Sequence, residues 1–299
     1  MTDPEILDVP GFPRTLAPKQ RCLVQIARVD GSVETVIDTD GVLLEAPNWT
    51  LDGTRLVLNG DGALWTYTLA SRRLEPVSIE ALPPINNDHV LDTDGEHIFL
   101  SAMDGHIYRA PIHGGRAERV TSDSRLLHFL HGISPDGVEL AFIGIERPEG
   151  DSWGPGVVYL TGRDGSGIRP ITDSRAHTDG SEYSPDGQWI YLNTELFDGH
   201  AQIGRVRRDG TALEQLTTDA RVNWFPHLAP AGDHAVYIAF PEGTEGHPAD
   251  LDVELRLVRD GDWAGAKTLV TLFGGQGTVN VNSWSPEGDR FAFVSYPIG

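Results

Sequence analysis

Five imidazoles and a set of carboxylates and carboxamides stand at comparable places along this chain. His89 and His131 each lie four residues ahead of the proline position of a recurring tight turn, the position Asn282 holds before a later one. Glu182 and His227 each lie three residues ahead of theirs. Asp179, Asn223, Trp224 and Asn280 fall just before these positions, with Asp88 and His177 nearby and His247 and Gln276 on longer connecting segments. Imidazoles, carboxylates and amides that converge on one point hold a divalent metal or orient a polar ligand. His89, His131, Glu182 and His227 are the candidate metal ligands, because their repeat positions would set them in an arc. Other chemistries are missing: the chain has no His-Glu-x-x-His helix motif and no Gly-Lys-Ser/Thr phosphate loop. Ser134 and Ser184 have His and Asp near them, but both occupy the turn position itself, so the turn accounts for them.

The elements that must position these groups follow from the turn. It recurs as Leu51-Asp52-Gly53, Thr93-Asp94-Gly95, Ser134-Pro135-Asp136-Gly137, Ser184-Pro185-Asp186-Gly187, Ala229-Pro230-Ala231-Gly232 and Ser285-Pro286-Glu287-Gly288. Proline presets φ, and Asp-Gly tolerates the positive φ of a tight hairpin. An apolar residue precedes each turn (Trp49, Leu91, Ile133, Tyr183, Leu228, Trp284), and a short aromatic and branched segment such as Trp189–Leu192 follows it. Such segments are too short for buried helices and read as strands. Third strands such as Leu64–Tyr67 and second turns such as Arg163-Asp164-Gly165 complete a unit of four strands. Six such units predict an all-β, six-bladed β-propeller of four-stranded antiparallel blades. The sixth unit stops after two strands, and Cys22–Arg28 with Val33–Ile37 supply the missing pair. Strands from both ends of the chain therefore close one blade and leave no exposed edge. Residues 21–299 form the single propeller domain and 1–20 an extension, so deletion through residue 18 is expected to cost little stability.

Composition narrows the partners. The chain has 299 residues and a formal net charge of −21, a surface that repels phosphate backbones and anionic lipid heads. Neither nucleic acid nor a membrane is expected as a partner. Cys22 is the single cysteine, which rules out a disulfide framework and a Cys-based zinc site. The first residues lack a basic and apolar leader, so a cytoplasmic protein is expected unless a signal has been removed. Oligomeric state is left open.

The Ser-Pro-Asp-Gly units with their aromatic-branched strands resemble the WD40-like (PD40) repeats of TolB-family bacterial propellers, over essentially residues 21–299. The resemblance implies a TolB-like propeller without the separate α/β domain that precedes it in TolB. A binding propeller follows: a small polar ligand, peptide or protein would be recognised on the long-loop face, at the mouth of the central channel. That mouth comprises His89, His131, Asp179, Glu182, Asn223, Trp224, His227, His247, Gln276, Asn280 and Asn282, and no cofactor is expected beyond a candidate divalent metal. The alternative is a metal-dependent enzyme. Glu45-Ala46-Pro47-Asn48-Trp49 is similar to the Glu-Gly-Pro-x-Trp segment of calcium-dependent lactonases of the gluconolactonase type, where the carboxylate binds metal. Oligogalacturonate lyases, which also resemble PD40 propellers, use several channel histidines.

Overall fold

The computed structural model describes residues 14–147 and 153–299. Among them there is no helix, and the strands form six blade sheets around an axis, with a further parallel pair of two-residue strands, Ile79–Glu80 and Gly115–Arg116. Blade 1 runs outward through Leu44–Trp49, Arg55–Gly60, Ala63–Thr68 and Arg73–Pro76. Blade 2 comprises Ile85–Leu91, His97–Ala102, Ile107–Pro111 and Glu118–Arg119. Blade 3 has Leu126–Ile133, Glu139–Glu146, Val157–Gly162 and Arg169–Pro170, and blade 4 has Thr178–Tyr183, Trp189–Thr194, Gln202–Arg207 and Glu214–Gln215. Blade 5 has Val222–Leu228, His234–Phe240, Leu251–Arg259 and Lys267–Gly274.

The sixth blade is closed as expected by both ends of the chain. Cys22–Arg28 pairs with Arg290–Ser295 on one side and with Val33–Thr39 on the other. Its innermost position differs from the others, because residues 279–284 make one bridge, Trp284 to Phe291, instead of a ladder. The outermost strands of blades 2, 3 and 4 are two residues long. They face solvent on the rim, where little apolar area is available to hold a longer ladder.

The two Ser-Pro-Asp-Gly turns are fastened by their own side chains. Ser134 Oγ donates to Asp136 Oδ1 at 2.5 Å and accepts the Glu139 amide at 2.9 Å, and Ser184 is used in the same way by Asp186 and Trp189. These hydroxyls are consumed as turn locks. Between blades, the core is built from strand-centre residues such as Phe99, Phe142, Phe240, Phe291 and Phe293, all fully buried.

One local feature decides the geometry of the channel. Every innermost strand of blades 1–5 carries a β-bulge shortly ahead of its turn: Glu45/Asn48, Ile85/His89, Leu130/Gly132, Asp179/Glu182 and Trp224/His227. In blades 1, 4 and 5 the residue five before the proline position takes a positive φ: Ala46 (49°), Gly180 (65°) and Phe225 (53°). A bulge re-aims side chains and ends regular pairing.

Candidate functional site at the channel mouth

The strand starts, the second-to-third-strand loops and the interblade connections all lie on the face opposite the Asp-Gly turns. Four of these segments meet at Asp179. His131, from the bulge of blade 3, places Nε2 3.0 Å from Asp179 Oδ1 and 3.8 Å from Asp88 Oδ1. His177, on the connection into blade 4, and His247, on the long loop of blade 5, approach Asp179 Oδ2 from Nε2 at 3.7 and 3.8 Å. Trp224 and Phe225 supply an apolar wall, with ring centres 4.4 and 5.1 Å from that of His247, and Phe225 stacks on His131 at 5.6 Å.

The hydrogen-bond partners fix the proton positions. His131 Nδ1 faces the Asn280 carbonyl at 3.2 Å while Nε2 faces carboxylate, so both nitrogens donate and the ring is an imidazolium. Burial opposes that charge, but Asp88 and Asp179 outweigh it and push the ring up to about 9. Burial favours the neutral form of Asp179 as well, yet its pairing with His131 and His177 holds it well below the usual carboxylate range. Asp88 has weaker help from His131, and burial pushes it up to about 7. His177 accepts the Gly156 amide at Nδ1 (2.9 Å), which leaves the proton on Nε2, toward Asp179. His247 has the opposite arrangement: Nδ1 donates to Gln276 Oε1 at 2.5 Å, so Nε2 presents a bare lone pair beside Asp179. Gln276 is itself oriented by Asn280 Nδ2 (3.1 Å) and by its own donation to Asn87 Oδ1 (3.3 Å).

The remaining expected site residues form separate groups. His227 donates from both nitrogens, to Glu182 Oε2 at 2.6 Å and to the Val279 carbonyl at 2.8 Å. Glu182 Oε1 accepts the Leu228 amide and Asn282 Nδ2, each at 2.8 Å. This pair therefore pins blades 4, 5 and 6 together, with its polar atoms used. His89 is buried deeper, bonded through Nδ1 to Asn48 Oδ1 at 2.7 Å, with Nε2 unpartnered and the ring pushed down to about 3 by burial. Asn223 is taken up by Gln202, Thr217 and Asp219 between blades 4 and 5. His89, His131, Glu182 and His227 thus do not meet at one point. The ionisable cluster is His131, His177, His247, Asp88 and Asp179, and Asn87 and Phe225 join it without a signal in the repeat. Among the described residues, the group of three His and carboxylate ligands whose atoms all lie within 4.8 Å of one another is Asp92, Asp94 and His97, on the turn face. Those carboxylates are already neutralised by Arg109 and Arg163. A Gly-x-Ser-x-Gly pattern also occurs in the sequence at 150–154. Residues 150–152 lie outside the described residues.

Fold and site together define a six-bladed β-propeller with a bulge-built, ionisable channel mouth. No family model matches the chain. An uncharacterized protein of Agrobacterium fabrum is 39% identical over 259 residues, 85% of each chain. A solved Agrobacterium tumefaciens protein provisionally named TolB superposes with a TM-score of 0.86 at 36% identity, covering 94% of this chain and 99% of that one. TolB from Acinetobacter baumannii shares the fold at 17% identity and a TM-score of 0.60, and the match spans 83% of this chain and 63% of that one. This chain belongs to the TolB-like family of six-bladed propellers.

Proposed function

We propose that this TolB-like propeller is a recognition module whose ligand, a small polar molecule or the polar end of a peptide, seats at the channel mouth on the Asp179 cluster. The observation that carries the reading is the convergence of three imidazoles from three separate segments on one buried carboxylate. Burying an imidazolium and two carboxylates costs stability unless they are well paired, so their retention at a mouth points to use. The site offers a donor edge at His131 and His177, an acceptor edge at His247 Nε2 and Asp179, and an aromatic wall at Trp224. A ligand carrying both a donor and an acceptor on a compact apolar body complements that set.

The test is a panel of polar small molecules and short peptides, read by the ring-proton resonances of His131, His177 and His247. A hit should shift all three together and lose its effect in Asp179→Asn. Hits that shift only residues away from the mouth would refute the reading.

The enzyme alternative keeps one specific support, the bare Nε2 of His247 beside Asp179, which is the lone pair a divalent metal would take. The donors on His131 oppose it, since a metal at either nitrogen would have to displace a proton that faces an oxygen acceptor. Calorimetry with Zn²⁺, Mn²⁺ and Ca²⁺ on wild type and His247→Ala separates the two. Binding that is lost in the variant favours the enzyme, and no binding favours the recognition module.

A further inference from the structure

Beside the mouth, a second set of acceptors already holds a ligand of defined chemistry. Arg14 reaches in from the N-terminal segment and is almost fully covered. Its Nη1 donates to the Gln276 carbonyl at 2.6 Å and lies 3.3 Å from Glu45 Oε1, while Nη2 donates to Asp250 Oδ1 at 3.1 Å. The guanidinium lies over the Tyr296 ring, 4.0 Å from its centre. Tyr296 is fully buried and tied through its hydroxyl to the Leu44 carbonyl at 2.9 Å, so the ring face is a fixed wall.

The pocket is built by four segments distant in sequence: the innermost strand of blade 1, the long loop of blade 5, the connection between blades 5 and 6, and the C-terminal strand's end. Gly277, at φ +84°, keeps it open. A Cβ there would stand 2.4 Å from Glu45 Oε1 and 2.6 Å from the Tyr296 hydroxyl. Glu45 is 8% exposed, is also bonded to Asn59 at 3.1 Å, and among the described residues finds its cationic partner in Arg14. Two separated nitrogens on three acceptors, with a flat face on an aromatic ring, are the demands of a planar fork; a single ammonium cannot meet them.

We propose that Glu45, Asp250, the Gln276 carbonyl and the Tyr296 face form a guanidinium-binding pocket whose resident ligand is the chain's own Arg14. An arginine side chain supplied in trans takes the same pocket once position 14 is vacated. The N-terminal segment is then a tethered ligand, and an arginine-bearing peptide is the kind of partner that competes with it. This goes beyond the mouth reading: Gln276 serves both places, the pocket through its backbone carbonyl and the Asp179 cluster through its side chain.

The experiment compares ethylguanidinium and ethylammonium as probes on wild type, Arg14→Ala and Arg14→Ala/Glu45→Gln, read by thermal unfolding. Ethylguanidinium at ten times its dissociation constant should raise the folded-to-unfolded ratio of Arg14→Ala about elevenfold. It should leave wild type, whose pocket is filled, and the double variant unmoved. Arg14→Lys, which keeps the charge without the fork, gives the same comparison if the alanine variant fails to fold. Equal stabilisation of wild type and variant, or an equal effect of ethylammonium, would overturn the proposal. The histidine resonances of the mouth report independently, so loss of one reading leaves the other open to its own test.

Discussion

His131 carries the clearest consequence at the scale of single residues. It is buried, donates from both nitrogens and is charged in the folded protein, so its folded pKa lies above the ordinary value of 6.5. A group raised on folding contributes stability that is complete below the unfolded pKa and is lost as pH rises through the folded one. The window here runs from pH 6.5 to about 9. The melting temperature should fall across it, and His131→Gln should flatten that part of the curve while lowering the curve as a whole. In Asp179→Asn the ring keeps Asp88 but loses its nearest carboxylate, so its titration by NMR should fall from near 9. A titration unmoved by that change would mean that Asp179 does not hold the charge. Breaking a buried pair by removing one partner costs about 3–5 kcal/mol, which urea unfolding of Asp179→Asn should show.

Elements matter because the bulges bring the charges together. Gly132 sits directly after the blade 3 bulge, and a Cβ there would meet the Ser181 carbonyl of blade 4 at 2.6 Å. That approach of two backbones lets His131 reach across to Asp179 on the neighbouring innermost strand. Gly132→Ala should therefore destabilise by about 1–3 kcal/mol through overpacking and also weaken the His131–Asp179 contact. The check is denaturant unfolding together with the His131 titration. A neutral substitution would show that the two strands have slack.

For the whole molecule, closure and the N-terminal segment separate two deletions. Removing residues 1–40 takes away both strands that close blade 6, exposing the edge of Arg290–Ser295 with Phe291 and Phe293 beside it. Aggregation on size-exclusion chromatography is expected. Removing residues 1–18 spares those strands but takes Arg14 from Glu45, Asp250 and Tyr296. The Arg14 contacts argue for a larger cost than the repeat alone suggests: the shorter deletion leaves a buried carboxylate without its cation, and a loss of about 3 kcal/mol is expected. A melting temperature equal to that of the full chain would contradict the role given to Arg14.

The repeat alone determined the architecture, because six turn units with paired strands leave few ways to bury so many short apolar segments, and the shortfall at the C-terminus pointed to closure by Cys22–Arg28 and Val33–Ile37. It also placed His131, Asp179, Trp224, His247, Gln276 and Asn280 on one face, since strand direction alone sorts the loops. Only the tertiary structure decided which of these meet. A bulge adds a residue and turns a side chain without changing the repeat spacing, so His89, one repeat earlier at the same position as His131, ends as a neutral buried ring on Asn48. Glu182 and His227 satisfy each other for the same reason, their separation across two blades being invisible along the chain. Arg14 gave no signal at all, because its partners Glu45, Asp250, Gln276 and Tyr296 lie 31 to 282 positions away and come together only when the ring closes.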